Sequence, residues 1–92
     1  MQLTVEFLGL ARKLTQAKQV SLALPEQATL RDVLRHLAAQ YPALLGPIIT
    51  PETFELNPSY LVYLDGRHAA KDLDMSLQDG QRLLFMFAEA GG

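Results

Sequence analysis

One stretch of this chain repeats apolar residues at helical spacing, and it stands between segments that alternate, or run apolar, as strands do. Leu30, Val33, Leu34, Leu37, Ala38 and Tyr41 recur three and four apart and form one face of a helix. Thr29 precedes them as a cap, and Asp32 sets a carboxylate near the positive end of the helix dipole. Glu or Gln is the usual reciprocal partner, so the capping box is expected to be imperfect. Pro42 disfavours helical geometry at Tyr41 and ends the element. A single amphipathic helix cannot bury its stripe alone, so a sheet must cover it.

Strand signals lie on both sides of this helix. From Gln2 to Leu8, Leu3, Val5 and Phe7 fall on one side and Gln2, Thr4 and Glu6 on the other. Val20, Leu22 and Leu24 repeat the pattern, and the connection from Gly9 to Lys18 is short enough for a hairpin before Pro25 ends the second strand. Pro42, Pro47, Pro51 and Pro58, with Ile48-Ile49 among them, predict a long ordered crossing rather than a flexible linker. Tyr60 to Leu64 is apolar throughout, which suits a strand covered on both faces or one bearing a partner surface, and Asp65-Gly66 marks a tight turn. Lys71 to Gly80 is polar around isolated Leu73, Met75 and Leu77, and reverses at Asp79-Gly80. Arg82 to Phe87 is the last strand, running into the small-residue tail Ala88-Glu89-Ala90-Gly91-Gly92.

Because the helix separates the hairpin from the later strands, the first and last strands can lie side by side in the middle of the sheet. The expected class is α+β: a ubiquitin-like β-grasp, a mixed sheet of four to five strands with one main helix on one face. The chain has 92 residues, so one domain is expected over 1–87, followed by a flexible tail over 88–92.

Composition narrows function by exclusion. The formal charge of −2, with scattered Lys and Arg, offers no cluster to displace counterions from a nucleic acid. The longest apolar run, Leu83 to Ala88, is too short for a membrane span. With no cysteine there is no disulfide, thiolate metal site or cysteine nucleophile, and a cytoplasmic location is the default expectation. His36 and His68 have no second ligand at metal-binding spacing, so neither is expected to hold a metal or act in catalysis.

Over nearly its whole length the chain resembles the MoaD/ThiS family of sulfur carriers. The resemblance rests on Val5-Glu6-Phe7-Leu8-Gly9-Leu10-Ala11-Arg12, on Leu24 to Leu34, on Tyr41-Pro42-Ala43-Leu44, on Leu77 to Leu83, and on the terminal Gly91-Gly92. Its length and Tyr-Pro after the helix are closer to the small subunit of molybdopterin synthase than to the thiamin carrier. It departs from the family in two places: Phe87-Ala88-Glu89-Ala90 stands where prolines are common, and the crossing from Gly46 to Pro58 is longer than in compact members. The resemblance implies that an adenylating, MoeB/ThiF-like enzyme uses ATP and magnesium to activate the Gly92 carboxylate, which a sulfur donor converts to a thiocarboxylate. It implies no bound cofactor. The acceptor would be molybdopterin synthesis through a MoaE-like large subunit, or another sulfur-containing metabolite such as thiamin. On this reading the chain is a carrier rather than an enzyme, or at most a non-catalytic subunit of a synthase.

The steric logic of such a tail is simple. A carboxylate reaches a nucleotide at the bottom of a narrow channel only if the last residues thread in extended and bear no Cβ, as Gly91 and Gly92 do. Five residues from Ala88 to Gly92 span at most about 17 Å. A free carboxylate is a poor electrophile, and adenylation supplies the leaving group it lacks.

The remaining partner-facing residues are expected on the sheet. Leu61, Tyr63, Leu83, Phe85 and Phe87 are expected to supply an apolar docking patch for the enzyme that receives Ala88, Glu89 and Ala90, although strand alternation turns about half of each set towards the helix. Arg12, Lys13, Arg67 and Lys71 are expected to be solvated charges. Two other functions fit the same tail or fold. One is a ubiquitin-like modifier joined to lysines of other proteins, and the other a binding module that does not need Gly91-Gly92.

Overall fold

Alternation in the first seven residues produces β1 (Gln2–Phe7), which pairs antiparallel with β2 (Gln19–Ala23) from Gln2↔Ala23 to Glu6↔Gln19. The last strand, β5 (Arg82–Phe87), lies parallel to β1 with Thr4 opposite Arg82 and Phe7 opposite Phe85. Its other side takes β3 (Tyr60–Leu64), antiparallel, and the two-residue β4 (His68–Ala69) closes the sheet in the order β2-β1-β5-β3-β4. The first and last strands are therefore central, and the architecture is the expected β-grasp. The computed structural model describes residues 1–70 and 72–87, with His68 and Phe87 through their backbone alone. The expected flexible tail, 88–92, lies outside the described residues.

The main helix, α2 (Leu30–Gln40), lays Leu30, Val33, Leu34, Leu37 and Ala38 on the sheet, where Leu3, Val5, Phe7, Leu22, Val62, Leu64, Leu83 and Phe85 meet them. Phe7 is the hub of this layer: its ring meets Phe85 at 6.1 Å and Tyr41 at 5.7 Å, both edge to face. The cap of α2 is better made than the sequence implied. Asp32 N–H donates to the Thr29 hydroxyl at 3.3 Å, and Thr29 N–H donates back to the Asp32 carboxylate at 3.0 Å. The shorter Asp side chain closes the reciprocal box that Glu usually closes. These bonds, and above all the one from the Thr29 N–H, hold the Asp32 carboxyl below its ordinary range; partial burial opposes them and Arg35 assists.

Two further features depart from the sequence reading. The hairpin connection is not bare loop: Leu10–Thr15 forms a short helix, α1, entered through Gly9 at φ 58° and left through Gln16 at φ 56°. Six residues are too few to display a helical period. The second strand also stops one residue earlier than expected, at Ala23, although Leu24 N–H still reaches Met1 C=O at 2.9 Å.

The long crossing is ordered, as its prolines implied. Pro42–Leu44 forms one 3₁₀ turn, single bridges join Ile49 to Leu45 and to Leu56, and Leu44, Ile48 and Ile49 are buried. Arg31 ties it to the rest of the fold, donating to Thr53 C=O at 2.7 Å and to the Asp74 carboxylate at 3.2 Å. The Arg35 guanidinium sits 5.6 Å from the centre of the Phe54 ring.

Candidate functional site

The candidate site is the face of the sheet that α2 leaves uncovered, at the end from which β5 runs on into residues 88–92. Alternation along β5 sends Leu83 and Phe85 into the core and leaves Leu84 and Met86 half-buried on the other side. Directly paired residues share a face, so Tyr63 stands beside Leu84 and Leu61 beside Met86. Leu61 and Tyr63 are half-buried as well. Four large side chains thus shield one another, with no element above them among the described residues.

The neighbouring strand sets the limits of this patch. Glu6 pairs with Leu84 across the parallel ladder, and its carboxylate forms an ion pair with Arg82. A charged rim therefore borders the apolar residues on the β1 side. Beyond Phe7 the chain continues beside β5, where Leu8 N–H donates to Phe85 C=O at 3.2 Å. Leu8 and Leu10, each 39% exposed, stand at the end of the sheet where β5 finishes. Gly9 between them takes φ 58° and ψ −129°, a backbone state that penalises any residue with a Cβ, and this sets the turn into α1.

The structure separates the residues expected to dock a partner. Leu61 and Tyr63 lie together on the open face. Leu83 and Phe85 do not: both are buried, Phe85 at 1% exposure against Phe7, so the expectation that they line the patch is corrected. The physical reason is the parallel register, which places Phe85 beside core residue Phe7. Phe87 pairs through its backbone with Tyr60; its side chain, with Ala88, Glu89, Ala90, Gly91 and Gly92, lies outside the described residues. Leu84, Met86 and Leu8 were missed. For Leu8 a signal existed, an apolar residue on the polar parity of the first strand. For Leu84 and Met86 none did, because all residues from Leu83 to Phe87 are apolar and either parity could be core.

Of the basic residues expected to be solvated, Arg12, Lys13 and Arg67 are all exposed, and Arg12 also donates from its Nε to Phe7 C=O at 3.1 Å and so braces the turn after β1. Lys71 lies outside the described residues, and His36 is exposed on α2. A depression of about 650 Å³ opens among Leu64, Asp65, Arg67, Met75, Ser76, Gln78 and Gln81. It lies where β3 ends and β5 begins, the wrong end of the sheet to serve the tail. Among the described residues no group of His, Asp and Glu is placed to hold a metal, and no helix is long and apolar enough to cross a membrane.

Comparison with known proteins bears on this geometry. The model of the ThiS family matches residues 5–92. Small archaeal modifier protein 3 of Haloferax volcanii is 31% identical over 94 residues, covering 100% of both chains. Among solved structures, SAMP1 from Haloferax volcanii superposes with a TM-score of 0.84 at 22% identity over 100% of both chains. A candidate molybdopterin converting factor subunit 1 from Pyrococcus furiosus does so with a TM-score of 0.76 at 18% identity, over 96% of this chain and 98% of that one. At these identities the two structures speak for the fold alone.

Proposed function

The chain belongs to the ThiS family of ubiquitin-like sulfur carriers and modifiers, and from that premise we propose that its working group is the Gly92 carboxylate, activated on a partner enzyme and converted to a thiocarboxylate. The observation that supports this reading is the course of β5. Leu83 and Phe85 anchor that strand in the core, Leu84 and Met86 present it to a partner, and the chain then continues directly into Ala88-Glu89-Ala90-Gly91-Gly92. A partner seated on Leu8, Leu61, Tyr63, Leu84 and Met86 has the tail within reach.

In this mechanism the folded domain is a handle and the partner supplies the catalytic groups. A MoeB/ThiF-like adenylating enzyme, using ATP and magnesium, joins the carboxylate to AMP with release of pyrophosphate, and a sulfur donor displaces AMP. The glycines offer the channel no side chain. Sulfur then passes to molybdopterin synthesis through a MoaE-like large subunit, the acceptor favoured by the chain's length and by Tyr41-Pro42 after the main helix. A second reading is conjugation of the same activated tail to lysines, which the likeness to an archaeal modifier protein supports.

The test uses the missing cysteine. The full chain is incubated with ATP, magnesium, a matched adenylating enzyme and a sulfur donor, then treated with a thiol-reactive reagent and fragmented in a mass spectrometer. An adduct on the Gly92 carboxyl is expected, since the chain has no thiol of its own. Fragmentation is needed because oxidation of Met86, in the same tryptic peptide, mimics the mass of exchanging oxygen for sulfur. An unmodified tail under these conditions overturns the reading; lysine remnants bearing Gly92 on other proteins select the second acceptor.

A further inference from the structure

The sheet has two edges, and the chain treats them differently. β4 finishes one side with only two residues, too short to template another strand. β2 finishes the other with Gln-Val-Ser-Leu-Ala, which contains no charge and no proline and pairs with β1 without a bulge. Charge, proline and bulges are the devices that usually blunt an exposed edge, and this edge has none of them.

The register with β1 determines which backbone groups are spare. Phe7 N–H donates to Lys18 C=O at 2.8 Å, and Leu24 N–H to Met1 C=O at 2.9 Å. Alternation then commits the backbones of Val20 and Leu22 to β1 and turns those of Gln19, Ser21 and Ala23 outward. All three of these residues are exposed.

We propose that β2 pairs antiparallel with β2 of a second copy about a two-fold axis at Ser21, joining two sheets into one of ten strands. In that register Gln19 faces Ala23 of the second copy and Ser21 faces its own counterpart, allowing about six new backbone hydrogen bonds. Charge favours a second copy as the occupant. Lys18, exposed, stands at one end of the strand, and just past the other stands Glu26, 79% exposed, whose carboxylate lies 3.6 Å from the N-terminal ammonium of its own chain and has its outer side open to a second cation. The two-fold brings Lys18 of each copy to the Glu26 end of its mate, so both ends of the joint are complementary. The joint buries little apolar surface, so the dimer is weak, with a dissociation constant on the order of 100 µM. Two strands separate β5 from the axis on each side, so the two β5 strands lie roughly 24 Å apart and run in opposite directions, leaving both open faces accessible.

Sedimentation velocity of the full chain between 10 µM and 1 mM, at low salt, tests the proposal. Wild type is expected to show a monomer–dimer equilibrium. Ser21→Lys, a change at an exposed position that sets like charges opposite one another at the axis, is expected to raise the dissociation constant at least ten-fold with an unchanged melting temperature. Lys18→Glu is expected to weaken the dimer, and Lys18→Glu with Glu26→Lys to restore it. A wild type that stays monomeric to 1 mM overturns the proposal. So does a dimer indifferent to Ser21→Lys, a double variant no tighter than Lys18→Glu, or a dimer abolished instead by Leu84→Ser on the open face.

Discussion

Replacing Phe85 with alanine removes a ring that is 1% exposed and meets Phe7 edge to face at 6.1 Å. Truncating a fully buried Phe costs about 3–5 kcal/mol in lost transfer energy and residual cavity, out of the roughly 5–15 kcal/mol that holds a domain together. For a chain of this size that lowers the melting temperature by roughly 15–30 °C. Leu84 is the next residue back on the same strand, but its side chain lies on the open face, so Leu84→Ser is expected to change stability by no more than about 1 kcal/mol. Its expected effect is on docking: loss of one apolar anchor lowers kcat/KM for adenylation roughly ten-fold, equivalent to about 1.4 kcal/mol. Thermal circular dichroism and urea titration read the first effect. ATP–pyrophosphate exchange with the adenylating enzyme, run well below the melting temperature of each variant, reads the second. A Phe85→Ala protein that melts within 5 °C of wild type refutes the assignment of faces. If Leu84→Ser and Tyr63→Ser together leave exchange unchanged, the open face is not where the partner docks.

Two further expectations concern how the ordered crossing and the helix cap are held. Arg31→Ala removes the bonds to Thr53 C=O and to Asp74, and is expected to cost about 1–2 kcal/mol and to speed hydrogen exchange at the amides of Phe54 and Asn57, which close the crossing. Asp32→Ala is expected to cost about 1 kcal/mol at pH 7. Because the folded state holds this carboxyl below its ordinary range, its contribution is fully present above the unfolded value of about 3.9 and is lost as the pH falls through the lower folded one. Urea midpoints of wild type and variant should therefore converge between pH 5 and pH 2; a gap that stays constant refutes the cap's role.

What could be read from residues alone followed the strength of their periodicity. The stripe from Leu30 to Tyr41 and the alternation of Leu3, Val5 and Phe7 have one geometric solution each, and both are found. Central pairing of the first and last strands followed from chain order and was found as well. Leu83 to Phe87 was ambiguous because every residue is apolar, and only the pairing of Phe85 with Phe7 resolves its faces. Six-residue α1 was invisible because its start and stop depend on positive φ values at Gly9 and Gln16, and the second of these is a residue with no turn signature. The complete capping box was underestimated because statistics favour Glu, whereas local geometry let Asp reach.

The parallel pairing of β1 with β5 also dictates how the domain resists a pull. Met1 precedes the start of β1 and the tail follows the end of β5, so tension between the two ends slides these central strands past each other in opposite directions. Every rung from Thr4↔Arg82 to Phe7↔Phe85 is loaded at once, in shear, instead of being unzipped one at a time. Tension between the two ends is therefore borne by the pair of strands at the middle of the sheet.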